Sequence, residues 1–372
     1  MLEVIEVNGK QGLQQFIDVA HTIYRNDSNW VPPLKFSLMN TLQGKDSSLL
    51  ANGPHSFFLA RDGDHILGRI CTGIDEKLNC AKDSQEGYIT LFECINSFPA
   101  AAALFDRAAQ WLQERGMCMM KGPVSYTDGD DYRGLLVEGF DGPPVLMNPY
   151  NPDYYPDLFE KYGFKKHTDL YAFHVDLKQY NEQLYRQFIS RAMKRFAVNI
   201  DRISFFKTNR DVADIKEILD IALPREWPDL IPPSLEEIQQ MVRKLRWVAL
   251  RDGILIARSN GRPVGFVIGL PDYNQAIKPM QGQLLPFGIF RFLRYKRKIN
   301  SGRISALFVI PAFRRKVVAE ALFCSLISAA KKRGYIEAEG STIGEENRVM
   351  LQTVQAMGGR QYRTYRIYKK EL

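Results

Sequence analysis

The chain has 372 residues, of which 45% are hydrophobic and 25% are charged, and a formal net charge of +8 at pH 7. This composition excludes a disordered protein and supplies enough apolar material for two globular cores. No apolar run approaches the roughly 18 residues of a membrane-spanning helix, so we expect a cytoplasmic protein, with or without membrane association. The positive charge favours an anionic partner such as a nucleotide cofactor, an anionic membrane or RNA.

The cysteines and histidines argue against disulfides and against a metal site. The five cysteines are odd in number and include no close CxxC pair, which indicates reduced, buried thiols. The five histidines all lie in the first half without the spacing of metal ligands, so no metal site is predicted. No tightly bound cofactor is expected.

The first half of the chain reads as a helix, a strand hairpin, a third strand and a second helix. Helical periodicity marks the first element, and an Asp-Gly turn marks the hairpin. The second helix follows a proline and stops at a glycine, as a C-terminal glycine cap predicts. These elements are residues 11–25, 57–60, 66–73, 88–94 and the segment from Pro99 to Gly116.

The second half repeats this order. Ala60-Arg61 with Gly68 eight residues after the alanine recurs as Ala257-Arg258 with Gly265 at the same spacing. A unit repeated after about 200 residues is too long for a solenoid and predicts two related domains. The predicted parts are an N-terminal domain at 1–177, a linker helix at 178–202 and a C-terminal domain at 203–372.

A strand, a basic loop and a helix follow one another in Phe308-Val309-Ile310-Pro311-Ala312-Phe313-Arg314-Arg315-Lys316-Val317-Val318-Ala319. This stretch resembles the GNAT (Gcn5-related N-acetyltransferase) superfamily, whose pattern is Val-x-Pro, an aromatic residue and Arg/Gln-x-x-Gly-x-Gly/Ala opening a helix. The resemblance implies an α/β (α+β) fold class. It implies two tandem GNAT-like acyl-CoA N-acyltransferase domains, each a mixed, mainly antiparallel sheet flanked by helices.

The resemblance also implies a donor site for acetyl-CoA or acyl-CoA as co-substrate. Backbone N–H groups at a helix N-terminus carry partial positive charge and bind pyrophosphate. Val317 stands where the family has glycine, and its side chain would hinder the close approach of a phosphate group to the backbone. The matching stretch 93–100 of the first half has no basic residue, so its donor site is expected to be degenerate. The predicted binding residues are Phe308, Val309, Arg314, Arg315, Lys316, Val317, Val318, Ala319 and Asn347.

Attack of an amine on a thioester needs a base, an oxyanion donor and an acid for the thiolate. Glu93 and Glu339 are the candidate bases. Glu93 interrupts an apolar run, so it lies either at a strand edge or in a cleft with a raised pKa. Glu339 is either that base or an ordinary solvated strand residue.

The acid is a tyrosine in many enzymes of the family, four residues before the glycine of an Asn-helix-Gly ending. Phe159 and Val354 occupy that position in the two halves. Tyr365 is the candidate replacement, and the alternatives are Tyr154, Tyr155 and Tyr368.

Residues 284–298 run from an apolar stretch into a basic cluster. The pattern suits a peripheral contact with an anionic membrane, or the mouth of a lipid site. The alternative is a surface helix packed on its own domain.

The first hypothesis is an N-acyltransferase that transfers an acyl group from acyl-CoA or acyl-carrier protein to a small-molecule or lipid-like amine. No nucleic-acid partner is expected. The alternatives are an aminoacyl-tRNA-dependent transferase and a non-catalytic acyl-CoA sensor or scaffold.

Overall fold

The computed structural model describes residues 1–45, 48–126, 132–203, 208–227, 230–250, 252–283 and 288–372. The strands are β1 (Leu2–Glu6), β2 (His55–Asp62), β3 (His65–Ile74), β4 (Glu86–Cys94), β5 (Met119–Gly122), β6 (Leu135–Glu138), β7 (Lys165–Asp176), β8 (Val198–Arg202), β9 (Ile254–Ser259), β10 (Arg262–Pro271), β11 (Ser301–Val309), β12 (Glu337–Gly344) and β13 (Arg360–Glu371). The α-helices are α1 (Gly9–Ile23), α2 (Lys35–Leu42), α3 (Ser48–Ala51), α4 (Glu76–Lys82), α5 (Phe98–Gln113), α6 (Tyr155–Tyr162), α7 (Glu182–Arg195), α8 (Thr208–Glu226), α9 (Leu235–Val248), α10 (Asn274–Ile277), α11 (Gly288–Lys296), α12 (Val318–Lys332) and α13 (Arg348–Ala356).

The chain forms two compact units whose segments alternate along the sequence. The first unit comprises Met1–Leu170, Asn274–Arg297 and Arg363–Leu372, and the second comprises Tyr171–Tyr273 and Lys298–Tyr362. The segment predicted as a linker helix, 178–202, contains α7 and then β8, which pairs with β9. The boundaries at 177 and 203 stay a prediction about the duplicated sequence.

The first unit is built on a mainly antiparallel sheet with the order β1-β2-β3-β4-β5-β13, and β6 also pairs with β13. β4 and β5 are parallel. Successive side chains of a strand point to opposite faces. Phe58 and Ala60 therefore join the core beneath α5, whereas Phe57 and Leu59 pack with α1.

The second unit repeats this arrangement with the strand order β12-β11-β10-β9-β8. β11 and β12 are its parallel pair, and β10 is antiparallel to both of its neighbours. Helix α12 packs against β9, β10 and β11, and α8 packs against β10 and β11. The predicted class, a mixed and mainly antiparallel sheet flanked by helices, is confirmed.

Gly68 and Gly265, the glycines of the sequence repeat, are required for the same structural reason in both units. A Cβ on Gly68 would lie 2.7 Å from the Glu93 carbonyl oxygen and 3.0 Å from Leu104 of α5. A Cβ on Gly265 would lie 2.8 Å from the Phe308 carbonyl oxygen. Both hairpins also change register at these glycines. The backbone approach is too close for a side chain in either copy, which explains the spacing seen in the sequence.

Candidate functional site

The loop between β11 and α12 carries most of the predicted donor-site residues. After β11 ends at Val309, residues 311–313 form a short 3₁₀ turn. Val317 then adopts the left-handed conformation, with φ 63° and ψ 18°, and α12 begins at Val318 without a side-chain cap. A β-branched residue adopts positive φ only where its surroundings impose it. The loop therefore keeps a conformation suited to glycine even though valine occupies the position.

Three of the predicted donor-site residues have buried side chains, which leaves only their backbone groups for a ligand. The side chains of Val309, Val318 and Ala319 are 2%, 0% and 5% exposed and belong to the core of the second unit. The side chain of Val317 packs against the same core. The first amides of a helix have no intrahelical acceptor, so the start of α12 presents N–H groups while its side chains face inward.

The three basic side chains of this loop have different surroundings. Arg314 donates its Nε–H to the Val309 carbonyl oxygen at 3.2 Å. The Lys316 ammonium lies 4.2 Å from the ring centroid of Phe313. Arg315 is exposed. Of the three, Arg315 has the most exposed side chain.

Glu320 lies in the first turn of α12, a position that the sequence pattern did not single out. Burial raises the pKa of this carboxyl group. Its Oε2 atom is buried, with no hydrogen-bond partner among the described residues. When ionised, this carboxylate competes with an anionic ligand for the positive end of the helix.

In the first unit, two tyrosines cover the corresponding strand end. Cys94 takes the place of Val309, because it pairs with Gly68 as Val309 pairs with Gly265. The Cys94 amide donates to the hydroxyl of Tyr155 at 2.8 Å, and the Tyr154 hydroxyl donates to the Cys94 carbonyl oxygen at 2.9 Å. These contacts occupy the backbone groups at that strand end.

Glu93 is the centre of a buried polar cluster in the first unit. The Tyr155 hydroxyl donates to its carboxylate at 2.8 Å, and the Arg69 guanidinium lies 3.6 Å away. The side chain of Glu93 is 14% exposed. Burial raises the pKa of Glu93, and the Arg69 charge and the hydroxyls of Tyr155 and Tyr24 offset part of the rise. A carboxylate with a raised pKa and limited exposure is suited to proton transfer.

β4, which carries Glu93, is paired on both sides, so Glu93 does not lie on an edge strand. The register of β4 changes between its pairings with Arg69 and Cys71, and Leu91 has a positive φ of 54°. Such a bulge re-aims the side chains that follow it. Arg69 is a partner that the sequence did not reveal, although a charge within an apolar strand was a signal.

The other candidates lie in more enclosed positions. Glu339 is 3% exposed on β12 and pairs in register with Arg303 of β11, so it is not a solvated strand residue. Tyr365 is fully buried in β13 of the first unit. The Asn347 side chain accepts the Met350 amide at 3.2 Å and thereby caps α13. Their catalytic or binding roles stay predictions.

The three tyrosines considered as alternative acids all belong to the first unit. Burial raises the pKa of Tyr154, Tyr155 and Tyr368. Because these pKa values are raised, each of the three tyrosines keeps its proton at neutral pH. Phe159, at the position where the family has its tyrosine, is fully buried and packs edge-on against Phe92.

Within the described ranges, no helix is both long and apolar enough to cross a membrane. The same residues contain no group of three or more His, Cys, Asp or Glu side chains arranged to hold a metal ion.

Residues 212–357 match the acetyltransferase (GNAT) family. The bacterial ceramide synthase of Caulobacter vibrioides is 28% identical over 378 residues, covering 100% of this chain and 98% of the relative. Protein YghO of Escherichia coli is 28% identical over 375 residues, covering 98% of this chain and 94% of that protein. A solved tandem GNAT protein from the clavulanic acid biosynthesis pathway superposes with a TM-score of 0.61 at 10% identity, covering 100% of this chain and 98% of that one.

Proposed function

We propose that this chain is a GNAT-type acyltransferase and that it transfers an acyl group from acyl-CoA or an acyl-carrier protein to the amino group of a lipid-like amine. The observation that supports the proposal most is the left-handed backbone at Val317, directly before the start of α12, which has no side-chain cap. Coenzyme A and the prosthetic arm of acyl-carrier protein both bring phosphate groups to such a site.

The relative from Caulobacter supports the choice of acceptor. A ceramide is an N-acylated long-chain amine, and the bacterial ceramide synthase is similar to this chain along its whole length. A long-chain amine resides in a membrane, so the proposal includes peripheral membrane contact by part of 284–298. Residues 284–287 lie outside the described ranges, and 288–298 lie within them.

In the proposed reaction the amine nitrogen attacks the thioester carbonyl carbon. The new N–C bond forms, the C–S bond breaks, and the thiolate leaves with the carrier. Glu93 accepts the proton that the amine loses, since its ionised carboxylate is held in place by Tyr155 and Arg69. Glu93 belongs to the first unit and the start of α12 to the second, so the base and the proposed phosphate site are tested by separate variants.

The test is mass spectrometry of the product formed from a long-chain acyl-CoA or acyl-carrier protein and a long-chain amine. We expect the N-acylated amine with wild-type protein. Glu93→Gln keeps the shape of the side chain but removes the base, so the rate should fall by about 100-fold or more. Glu3→Gln, at an exposed carboxylate on β1, is the matched control and should retain the wild-type rate.

Two outcomes would contradict the proposal. An unchanged rate in Glu93→Gln would remove that residue from the proton transfer. Binding of the thioester without product from any amine would instead favour a non-catalytic sensor.

A further inference from the structure

Helix α11 exposes large apolar side chains that its own unit does not cover. Ile289, Phe290 and Leu293 are 41%, 69% and 56% exposed. At 3.6 residues per turn, these three positions share an arc of about 100°. Gly288 is buried on another side of the helix, and α11 packs against α10 and the adjoining 3₁₀ turn, residues 278–280. The apolar arc therefore faces solvent.

Basic residues surround this apolar arc. Residues 288–298 contain five basic side chains and no acidic one, and all five are exposed. On the helix, Arg294 flanks the arc on one side and Lys296 flanks it on the other. The Arg291 guanidinium donates to the Pro279 carbonyl oxygen at 3.2 Å, which joins the helix to the neighbouring turn. The five basic residues are Arg291, Arg294, Lys296, Arg297 and Lys298.

We propose that α11 docks the protein on an anionic lipid bilayer. Ile289, Phe290 and Leu293 enter the boundary between headgroups and acyl chains, while the basic side chains extend to anionic headgroups. A soluble polyanion such as RNA would match the charge but gives no reason for three exposed apolar side chains on one arc. The proposed lipid-like acceptor explains why the protein would dock on a membrane. The docking itself involves no substrate and does not depend on that acceptor.

The experiment is co-sedimentation of the full chain with vesicles of phosphatidylcholine mixed with phosphatidylglycerol, or of phosphatidylcholine alone. We expect binding to the mixed vesicles, weaker binding at high salt, and little binding to the neutral ones. The double variant Phe290→Ser with Leu293→Ser should lower the partition coefficient by about tenfold or more, since it removes most of the inserted apolar area.

The matched control replaces two other exposed phenylalanines. Phe36 and Phe188 are 72% and 63% exposed on α2 and α7. Their double change to serine should leave the partition coefficient unchanged. Equal losses in both double variants, or no binding of wild-type protein to mixed vesicles, would overturn the proposal. Binding to mixed vesicles that is unchanged in the α11 variant, together with equally strong binding to RNA, would identify a polyanion surface instead and would also overturn it.

Failure of docking and failure of the proposed reaction are distinguishable. If wild-type protein binds mixed vesicles but forms no N-acylated amine, the reaction fails and docking stands. If the α11 variant acylates a detergent-dispersed amine at the wild-type rate but loses activity on a vesicle-embedded amine, both are supported. Activity on the embedded amine that is unchanged in the α11 variant would contradict docking alone.

Discussion

The proton affinity of Glu93 is set by opposing influences within the first unit. Burial raises its pKa, while the nearby Arg69 charge and two tyrosine hydroxyls lower it. A base must be ionised to accept a proton, so activity should rise with pH through the pKa of this group. Since the net shift is upward, the acid limb of kcat/KM should lie at higher pH than for an ordinary glutamate.

Arg69→Met is expected to move that acid limb further toward high pH. The substitution removes the positive charge that favours the ionised carboxylate, so the pKa of Glu93 rises further. Arg61→Met, at an exposed arginine on the same hairpin, is the control and should leave the limb in place. The measurement is kcat/KM against pH. Equal loss of activity at every pH, without displacement of the limb, would point to damaged folding instead.

Val317→Gly is expected to strengthen acyl-CoA binding. Glycine adopts positive φ without strain, and its lack of a side chain opens the loop to a phosphate group. Relief of strain and loss of packing oppose each other, so the unfolding free energy should change by no more than about 1 kcal/mol. Gln281→Gly, at another residue with positive φ, is the control for backbone relief. Titration calorimetry measures the affinity, and weaker binding in Val317→Gly would show that the valine contributes contacts.

Among the elements, α8 is joined to the sheet of the second unit by a buried charge cluster. Arg258 on β9 is 6% exposed. It donates to Asp201 of β8 at 2.9 Å and to Asp211 of α8 at 2.7 Å, and Asp214 lies in the same cluster. Charges of one sign left together in a buried site are strongly unfavourable.

Arg258→Met should therefore lower the unfolding free energy by about 3–5 kcal/mol. Arg210→Met offers a matched comparison, because Arg210 is 67% exposed and lies 3.9 Å from Asp214. Because the Arg210 side chain is largely in solvent, its loss should cost no more than about 1 kcal/mol. Denaturant unfolding followed by circular dichroism measures both. Similar values for the two variants would show that the cluster does not stabilise the unit.

The elements themselves could largely be predicted from local pattern. The turn at Asp62-Gly63 and the helix after Pro99 follow from turn chemistry and from 3.6-residue periodicity, and both occur in the structure. The residues around Glu93 were harder to predict from the sequence. Glu93 was recognisable as a charge in an apolar run, but Arg69 and Tyr24 reach it from β3 and from the end of α1. Such convergence depends on tertiary packing, which periodicity does not encode.

Over the whole molecule, the end of the chain completes the first unit. Tyr368 of β13 is fully buried in the core beneath α5. Arg363 is 1% exposed and donates to the carbonyl oxygens of Gly139 and Asp141 at 2.9 and 2.7 Å. A sequence repeat predicts two domains in succession. It contains no information about which unit receives the last strand, because strand pairing is a long-range choice.

For the molecule as a whole, we propose that a thioester carrier binds at the loop before α12. The most direct measurement is the dissociation constant of a long-chain acyl-CoA by isothermal titration calorimetry, for wild-type protein and Arg315→Ala. Loss of one charge-assisted phosphate contact should weaken binding by about tenfold or more. Arg243→Ala, at an exposed arginine of α9, should bind like wild-type protein. Equal affinity in Arg315→Ala and wild-type protein, or no binding by wild-type protein, would contradict the assignment of the donor site.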